Sequence, residues 1–268
     1  MIDRRCQICR SDARSLVAAF DRRPDGETDF HFAAYHRELW RCDTCGHFQN
    51  HHSFDLSQLY QGAYSQATYG ERLRANFEKI MALPPDRSDN RQRAAYIDEF
   101  WRLNASCRAR DLVDVGSGLG VFPAAMRERG WRCLAVDPDP AAARQARELA
   151  GAEAMAGDFF ALDPPRRFAL VTFNKVLEHV PDMVAMLDRA RRWLTADGLI
   201  YVELPDGEAA ITDPLGAARE EFFVEHYCAF SAGSYALLAR QAGLTIHRID
   251  RIREPSGKYT LRGFMSGA

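Results

Sequence analysis

From position 111 onward, short apolar runs alternate with stretches whose apolar residues recur every three or four positions. Leu112, Val113 and Val115 mark the first run, within Asp111–Val115; Arg132–Val136, Ala154–Ala156, Ala169–Phe173 and Leu199–Val202 are four more. Runs of this length, bounded by Gly, Asp and Pro, predict buried strands. Between them, Val121–Arg129, Ala141–Leu149 and the stripe Met183, Leu187, Ala190, Leu194, closed by Asp197-Gly198, predict helices. Ser231 is placed to cap a further helix ending at Gly243, and Leu244–Ile249 and Tyr259–Met265 read as the last strands. The alternation predicts an α/β fold: a Rossmann-like, mostly parallel seven-stranded sheet covered on both faces.

The first hundred residues are patterned differently. Two strand-like stretches, Ser15–Phe20 and Phe30–Trp40, flank the turn residues Pro24, Asp25 and Gly26. Residues 55–104 read mostly as helix. Leu56, Leu59 and Tyr60 begin it, Gln61-Gly62 break it, and Tyr64 and Tyr69 flank a polar loop. Glu71–Met81 is helical until Pro84-Pro85, and Ala94, Ile97 and Trp101 then share one helical face. The tyrosines read as ordinary packing residues, with a lid over a ligand as the alternative. The pattern divides the chain into a small module at 1–54, a helical connector at 55–104 and the α/β domain at 105–268.

Composition narrows the partners. The chain has 268 residues, 47% hydrophobic and 27% charged, enough for one large domain and an appendage. A net charge of −2 gives no strong field for nucleic acid, and the pairs Arg22-Arg23, Arg166-Arg167 and Arg191-Arg192 read as solvated faces or turns. No apolar run approaches the ~18 residues of a membrane span. The charged start, Met1 to Cys6, has no apolar stretch behind it, so no secretory signal is expected. Seven cysteines, four of them in two C-x-x-C pairs, favour metal over disulfides and a cytoplasmic, reducing setting.

Those pairs are Cys6-x-x-Cys9 and Cys42-x-x-Cys45, separated by 32 residues, with Gly46 following the second. Each can form a knuckle presenting two thiolates, and a hairpin between them would join the knuckles into a zinc-ribbon-like subdomain. A segment this short buries little core, and zinc binding of about 10–16 kcal/mol would substitute for one. Four cysteines close the tetrahedral shell, so the expected metal is structural. The less favoured readings are unligated thiols, a redox pair, or one of His31, His36, His47, His51 and His52 replacing a cysteine.

The α/β domain carries its chemistry where such sheets bind ligands, beyond the carboxyl ends of the strands. The first strand runs into Asp114-Val115-Gly116-Ser117-Gly118-Leu119-Gly120. Val121 stands where a dinucleotide fingerprint needs its third glycine, and no phosphate-loop Gly-Lys-Ser/Thr follows. Strand two ends in Asp137, able to hold a ribose diol. Strand three ends in Asp158-Phe159, a carboxylate for an adenine amine and a ring for the base. Strand four ends in Asn174, followed by Leu177-Glu178-His179-Val180-Pro181. Singly, Asp137 is also explained as a turn former and Asp158 as a helix cap; together at successive strand ends they favour one shared ligand.

Residues 110–204 with these motifs resemble the core of the class I S-adenosylmethionine-dependent methyltransferases. The resemblance implies that Gly116, Gly118 and Gly120 border the methionine part of the cofactor and that Asp114 helps hold its ammonium. It implies further that Asp137 holds the ribose, Asp158 and Phe159 the adenine, and that Asn174 lies beside the sulfonium. S-adenosylmethionine and structural zinc are thus the expected cofactors.

For the acceptor side, Phe222-Phe223-Val224-Glu225-His226-Tyr227-Cys228-Ala229-Phe230-Ser231 places adjacent ionisable groups among aromatics. Glu225 and His226 are candidate bases and His179 is the rival; aromatic packing around a core histidine is the alternative. The cysteine pairs, the Leu-Glu-His-Val-Pro segment and this Glu-His together resemble bacterial methyltransferases of nucleotide-linked deoxysugars and related natural-product or surface-glycan intermediates. Sugar C-methyltransferases of that kind show His-Glu-His where this chain has Val224, and carry a further C-terminal domain where this chain stops at Ala268. Both departures weigh against methylation of a carbon beside a ketone and leave O- or N-methylation open. The expectation is a methyltransferase of a small sugar-like or secondary-metabolite acceptor. The alternative is an RNA methyltransferase whose zinc module grips nucleic acid.

Overall fold

The computed structural model describes residues 5–32, 34–54, 73–105 and 109–267. Leu56, Leu59, Tyr60, Tyr64, Tyr69 and Glu71 of the expected connector lie outside the described residues. Three strands open the chain: β1 (Arg14–Phe20), β2 (Arg37–Cys42) and β3 (Phe48–His52). Two helices follow, α1 (Leu73–Met81) and α2 (Asp89–Asn104). Then come β4 (Asp111–Val115), α3 (Val121–Arg127), β5 (Arg132–Asp137), α4 (Pro140–Glu148), β6 (Glu153–Ala156), β7 (Phe168–Asn174), α5 (Met183–Arg191) and β8 (Leu194–Pro205). The chain closes with α6 (Gly207–Ala210), β9 (Cys228–Ala229), α7 (Ala232–Gln241), β10 (Leu244–Arg253) and β11 (Tyr259–Gly267).

The larger sheet has seven strands in the order β10-β11-β8-β7-β4-β5-β6, and the smaller has four in the order β1-β2-β3-β9. In the larger, β4 pairs in parallel with β5 and β7, β5 in parallel with β6, and β10 antiparallel with β11. This is the expected Rossmann-like α/β sheet. The smaller sheet is antiparallel throughout.

The chain divides into two compact units. One comprises residues 56–174 and 188–202 and contains the glycine turn. Its strands are apolar because both faces are covered: Leu112, Val113, Leu134, Ala135, Leu170 and Val171 are all buried. On α2, Ala94, Ile97 and Trp101 are buried as their spacing predicted, and Trp101 meets Trp131 edge-on at 5.2 Å. The helical stripe ends earlier than expected. Trp193 is fully buried against Phe159 and Phe168, which draws the chain out of α5 after Arg191. Leu194 therefore begins β8, and Asp197-Gly198 lie inside that strand rather than at a helix end.

The other unit comprises residues 1–55, 175–187 and 203–268. Here the second N-terminal strand starts at Arg37, not Phe30. Residues 29–31 turn instead: His31 takes a left-handed φ of 58°, and its N–H donates to Asp29 at 2.8 Å. Tyr35 donates its hydroxyl to Glu27 at 2.6 Å and accepts from Arg37 Nε at 2.9 Å. The patterning did not foresee β3 or β9, which pair with each other through Phe48–Ala229 and Gln49–Cys228. The small sheet thus incorporates chain from both termini of this unit.

A buried ion pair fixes that arrangement. Arg37 and Glu27 are fully buried and 3.8 Å apart. Glu27 Oε1 also accepts from the Val224 N–H at 2.6 Å, and Arg37 Nη1 donates to Asn50 Oδ1 at 2.9 Å and to the Phe222 carbonyl. Removing one partner of such a pair leaves an uncompensated buried charge. Arg37→Ala is expected to cost about 3–5 kcal/mol, read from the urea midpoint, while Glu27→Gln combined with Arg37→Met recovers much of it.

Candidate active site and metal centre

The two cysteine pairs meet. Cys6 Sγ lies 3.6 Å from Cys45 Sγ and Cys9 Sγ 3.4 Å from Cys42 Sγ, with all four sulfurs within 4.8 Å of one another. Each pair is a tight turn: the Arg10 N–H donates to the Cys6 carbonyl at 2.9 Å, and the Gly46 N–H to the Cys42 carbonyl at 2.9 Å. Gly46 has a φ of 73°, and a Cβ there would lie 3.0 Å from Ser231 Cβ, so only glycine fits both demands. Tetrahedral zinc with Zn–S bonds of about 2.3 Å holds its sulfurs about 3.8 Å apart. The donor set and its spacing fit that ion. The crowding shows in the thiols themselves: the Cys45 S–H beside Cys6 pulls Cys6 down to about 5, while Cys45 is pushed up.

None of the neighbouring histidines joins this cluster among the described residues. His36 bonds Asp21 at 2.7 Å. His47 is fully buried with its ring edge against Phe230, and burial holds it uncharged, down to about 3. Helix α7 braces both knuckles: its cap Ser231 donates to the Cys45 carbonyl, and Gln241 donates to the Ile8 carbonyl.

In the other unit, β4 leads into the glycine turn and α3. Gly120 is the N-cap of α3 with a φ of 76°, and a Cβ there would come within 3.2 Å of Ala146 on α4. Gly118 has a φ of 49° and open space beyond its Cα. The Gly116 N–H is spent on the Val136 carbonyl at 2.8 Å, and the Gly118 N–H donates to Asp137 Oδ2 at 2.8 Å. Asp137 Oδ1 accepts from the Asp139 N–H at 2.9 Å. The carboxylate at the end of β5 therefore shapes the glycine turn directly. Burial raises its pKa against the effect of these two bonds.

Asp114 is buried beneath the turn. Its Oδ1 accepts from Thr172 Oγ1 and from Asn174 Nδ2, both at 2.7 Å. Burial pushes this carboxyl up to about 7 against those bonds. Asn174 Oδ1 and Ser117 Oγ are buried with no partner, a state that costs about 1–3 kcal/mol per group until a ligand satisfies it. An open glycine turn, a strand-end carboxylate and two unsatisfied polar atoms fit a ligand rich in hydroxyl and ammonium groups. At the end of β6, Asp158 is exposed and accepts from the Phe160 N–H at 2.9 Å. Phe159 turns inward, 4.9 Å from Trp193 and 6.0 Å from Phe173, leaving Phe160 as the exposed ring.

A model of the methyltransferase domain matches residues 69–249. The chain belongs to the class I S-adenosylmethionine-dependent methyltransferases. An uncharacterized methyltransferase of Mycobacterium avium is 31% identical over 163 residues, covering 56% of this chain and 59% of that protein. A ubiquinone biosynthesis O-methyltransferase of Pseudomonas fluorescens is 29% identical over 119 residues, covering 42% of this chain and 50% of that one. This methyltransferase thus spans about half the length of the curated relatives it matches. The magnesium protoporphyrin IX methyltransferase of Synechocystis, solved with bound S-adenosylhomocysteine, shares the fold with a TM-score of 0.59 at 13% identity, covering 80% of this chain and all of that one. The 1,6-didemethyltoxoflavin N1-methyltransferase of Burkholderia thailandensis gives 0.56 at 20% identity, covering 92% and 100%. No helix among the described residues of the methyltransferase is long and apolar enough to cross a membrane.

In the unit holding the cysteines, the acceptor-side candidates gather. His179 and His226 meet edge-on with ring centroids 4.8 Å apart. His179 Nδ1 is 2.8 Å from the Glu225 carbonyl and His226 Nδ1 is 3.0 Å from the Glu221 carbonyl. A carbonyl only accepts, so each Nδ1 carries the proton and each Nε2 keeps its lone pair. Burial holds both imidazoles uncharged, His179 down to about 4. Glu225 is nearly buried, and burial pushes its carboxyl up to about 7.

The motif reading passed over four residues. Glu178 is fully buried beside the two imidazoles with neither carboxylate oxygen partnered. In sequence it stands inside the Leu-Glu-His-Val-Pro segment, where His179 alone was given a role. Asn50 donates through Nδ2 to the Phe222, Phe223 and His226 carbonyls, between 2.7 and 3.2 Å, and nothing in its local sequence hints at that. Ser117 and Thr172 are ordinary residues of a turn and a strand until their partners are seen.

Two outcomes follow from this geometry. The purified chain is expected to hold one zinc, measured by atomic emission, and Cys42→Ser to lose that metal together with much of the thermal stability. Asp137→Ala is expected to weaken S-adenosylhomocysteine binding about 10- to 100-fold by calorimetry, because it removes the carboxylate that holds the glycine turn through the Gly118 N–H.

Proposed function

We propose that the chain transfers the methyl group of S-adenosylmethionine to a small-molecule acceptor, of the class of nucleotide-linked sugars, glycan precursors or secondary metabolites. We read Gly116, Gly118, Gly120, Asp114, Asp137, Asp158, Phe159 and Asn174 as its cofactor-binding residues. Cys6, Cys9, Cys42 and Cys45 are read as ligands of a structural zinc, since four thiolates leave no open position. The thiols suit a reducing, cytoplasmic setting. When bound, S-adenosylmethionine supplies an electrophilic methyl on a positive sulfur that leaves as a neutral thioether.

The protein's part is alignment and the acceptor's proton. The observation that carries the reading is the pair of backbone-anchored, uncharged imidazoles, His179 on the Glu225 carbonyl and His226 on the Glu221 carbonyl. As the acceptor's O or N forms its bond to the methyl carbon, its proton passes to a lone pair of this group. Asn174 precedes Glu178-His179 by only Lys175, Val176 and Leu177, so the chain runs from the cofactor motif directly into the base motif.

A groove of about 360 Å³ supports the acceptor class. Arg5, Arg10, His51, His52, Phe54 and Tyr227 line it. Cationic and aromatic walls suit an anionic acceptor with a planar ring, and Pro181 and Tyr227 bring its wall within two residues of each imidazole in sequence. The curated relatives named for ubiquinone biosynthesis and the toxoflavin enzyme of like fold act on small molecules by name, which fits the same class.

His226→Ala and His179→Ala are expected to lower kcat about 10²-fold or more, with S-adenosylhomocysteine affinity unchanged within about twofold. Mass-spectrometric detection of methyl transfer to a panel of nucleotide sugars, phenols and amines, with calorimetry on the same samples, checks both. Unchanged turnover in both variants removes the imidazoles from the reaction.

A further inference from the structure

The acceptor-side cluster has a feature that proton transfer does not use. Glu178 is 0% exposed, and neither of its oxygens meets a donor. One of these oxygens and a ring nitrogen from each of His179 and His226 lie within 4.8 Å of one another. Glu203, itself buried, places a second negative charge close to Glu178. The nearby lysines have carboxylates of their own: Lys175 lies 3.8 Å from Glu254 and bonds Thr260, and Lys258 lies 3.3 Å from Glu220. A fully buried carboxylate with no donor needs a proton or a cation.

We propose that Glu178, His179 and His226 form a second metal site, distinct from the four-cysteine centre, that takes a divalent first-row ion preferring nitrogen and oxygen ligands. The inference rests on the methyltransferase reading and refines how the cluster handles the acceptor.

Three arguments carry it. Two imidazoles and one carboxylate are a donor set of this ion class and leave coordination positions open. Each imidazole gives its Nδ1–H to a backbone carbonyl, the outer bond that fixes ring orientation and the free-nitrogen tautomer in metal-ligating histidines. The two segments are also tied to each other: the Tyr227 N–H donates to the Glu178 carbonyl at 2.8 Å, so the ligands sit on a shared frame. An ion with bonds of about 2.1 Å holds neighbouring donors about 3 Å apart. Rotation of the unpartnered Glu178 side chain, with the rings shifting slightly about their Nδ1 bonds, closes the remaining distance. This ligand set leaves open positions for an acceptor oxygen; bound there, the acceptor gives up its proton to solvent water, because the ring lone pairs then hold the ion instead of accepting that proton.

The test uses the full chain with its zinc in place and manganese(II) as the probe, because manganese competes poorly for thiolates. Loss of the free-ion electron paramagnetic resonance signal is expected at one manganese per chain, with zinc content unchanged. Spin-echo modulation is expected to show coupling to imidazole nitrogen in the unmutated protein. Glu178→Gln and His226→Gln are each expected to weaken manganese binding at least tenfold, with S-adenosylhomocysteine calorimetry on each variant reporting that the fold is kept. No binding at millimolar manganese, no nitrogen coupling, entry only by zinc displacement, or affinity unaffected by both substitutions overturns the site. The imidazoles then act as direct proton acceptors. Failure of the parent chain to bind S-adenosylhomocysteine is a separate result: it removes the methyltransferase reading and leaves the manganese outcome to stand alone.

Discussion

The buried Glu27–Arg37 pair is the constraint on which the unit holding the two imidazoles depends. Charges with no exposed surface persist only when each is answered in place. Here the answers come from the far end of the sequence: the Val224 N–H on Glu27 and the Phe222 carbonyl on Arg37. Asn50 completes the grip by donating to three carbonyls between Phe222 and His226. The segment carrying Glu225 and His226 has no long strand or helix of its own, so its shape is imposed by polar contacts from the N-terminal sheet. The cysteine module is therefore more than an appendage. Helix α7 holds both cysteine turns, and the small sheet beside them sets the backbone from which one imidazole is hung.

The glycine-turn unit solves a similar problem with neutral and charged groups mixed. Asp114 lies under the turn and is held by Thr172 and Asn174. That bonding engages the Asn174 amide through its Nδ2, while its carbonyl oxygen is buried without a partner. One buried carboxylate thus orients an amide from another strand, and Asp137 orients the turn itself through the Gly118 N–H. The strand-end residues act on one another before any ligand arrives, which is the preorganisation that a binding site needs.

The sequence was most legible where burial is two-sided. Strands such as β4 and β7 must be apolar throughout, so their runs were readable almost to the residue, and the four-cysteine spacing was readable because tetrahedral chemistry leaves few alternatives. It was least legible where contacts are long-range and polar. Gln49, Asn50, His51 and His52 of β3 are half-buried and polar, so no alternation marks them, and β9 is too short to carry a pattern. Phe30–Trp40 looked like one strand because it is aromatic and alternating. Tyr35 instead spends its hydroxyl on Glu27, and His31 turns the chain. The stripe through Leu194 misled for a related reason: Trp193 is buried in an aromatic cluster with Phe159 and Phe168, and the chain leaves α5 just before it. Glu178 was visible as part of the Leu-Glu-His-Val-Pro motif, but its role was not, since its unpartnered oxygens and its nearness to His226 appear only in the fold.

The electrostatics of the imidazole pair suit the chemistry of a cationic methyl donor. A base that is already positive would oppose a reaction whose donor carries a positive sulfur, and would have no lone pair to offer. Burial removes the charge from both rings, and the backbone carbonyls at Nδ1 fix which nitrogen keeps the lone pair. The same burial makes the neighbouring carboxylate Glu178 costly to leave ionised without a counter-charge. Neutral nitrogen donors beside a buried carboxyl without a hydrogen-bond donor form an asymmetric site: one that repels neither a cation nor an acceptor proton, and that gains stability from whichever of the two arrives.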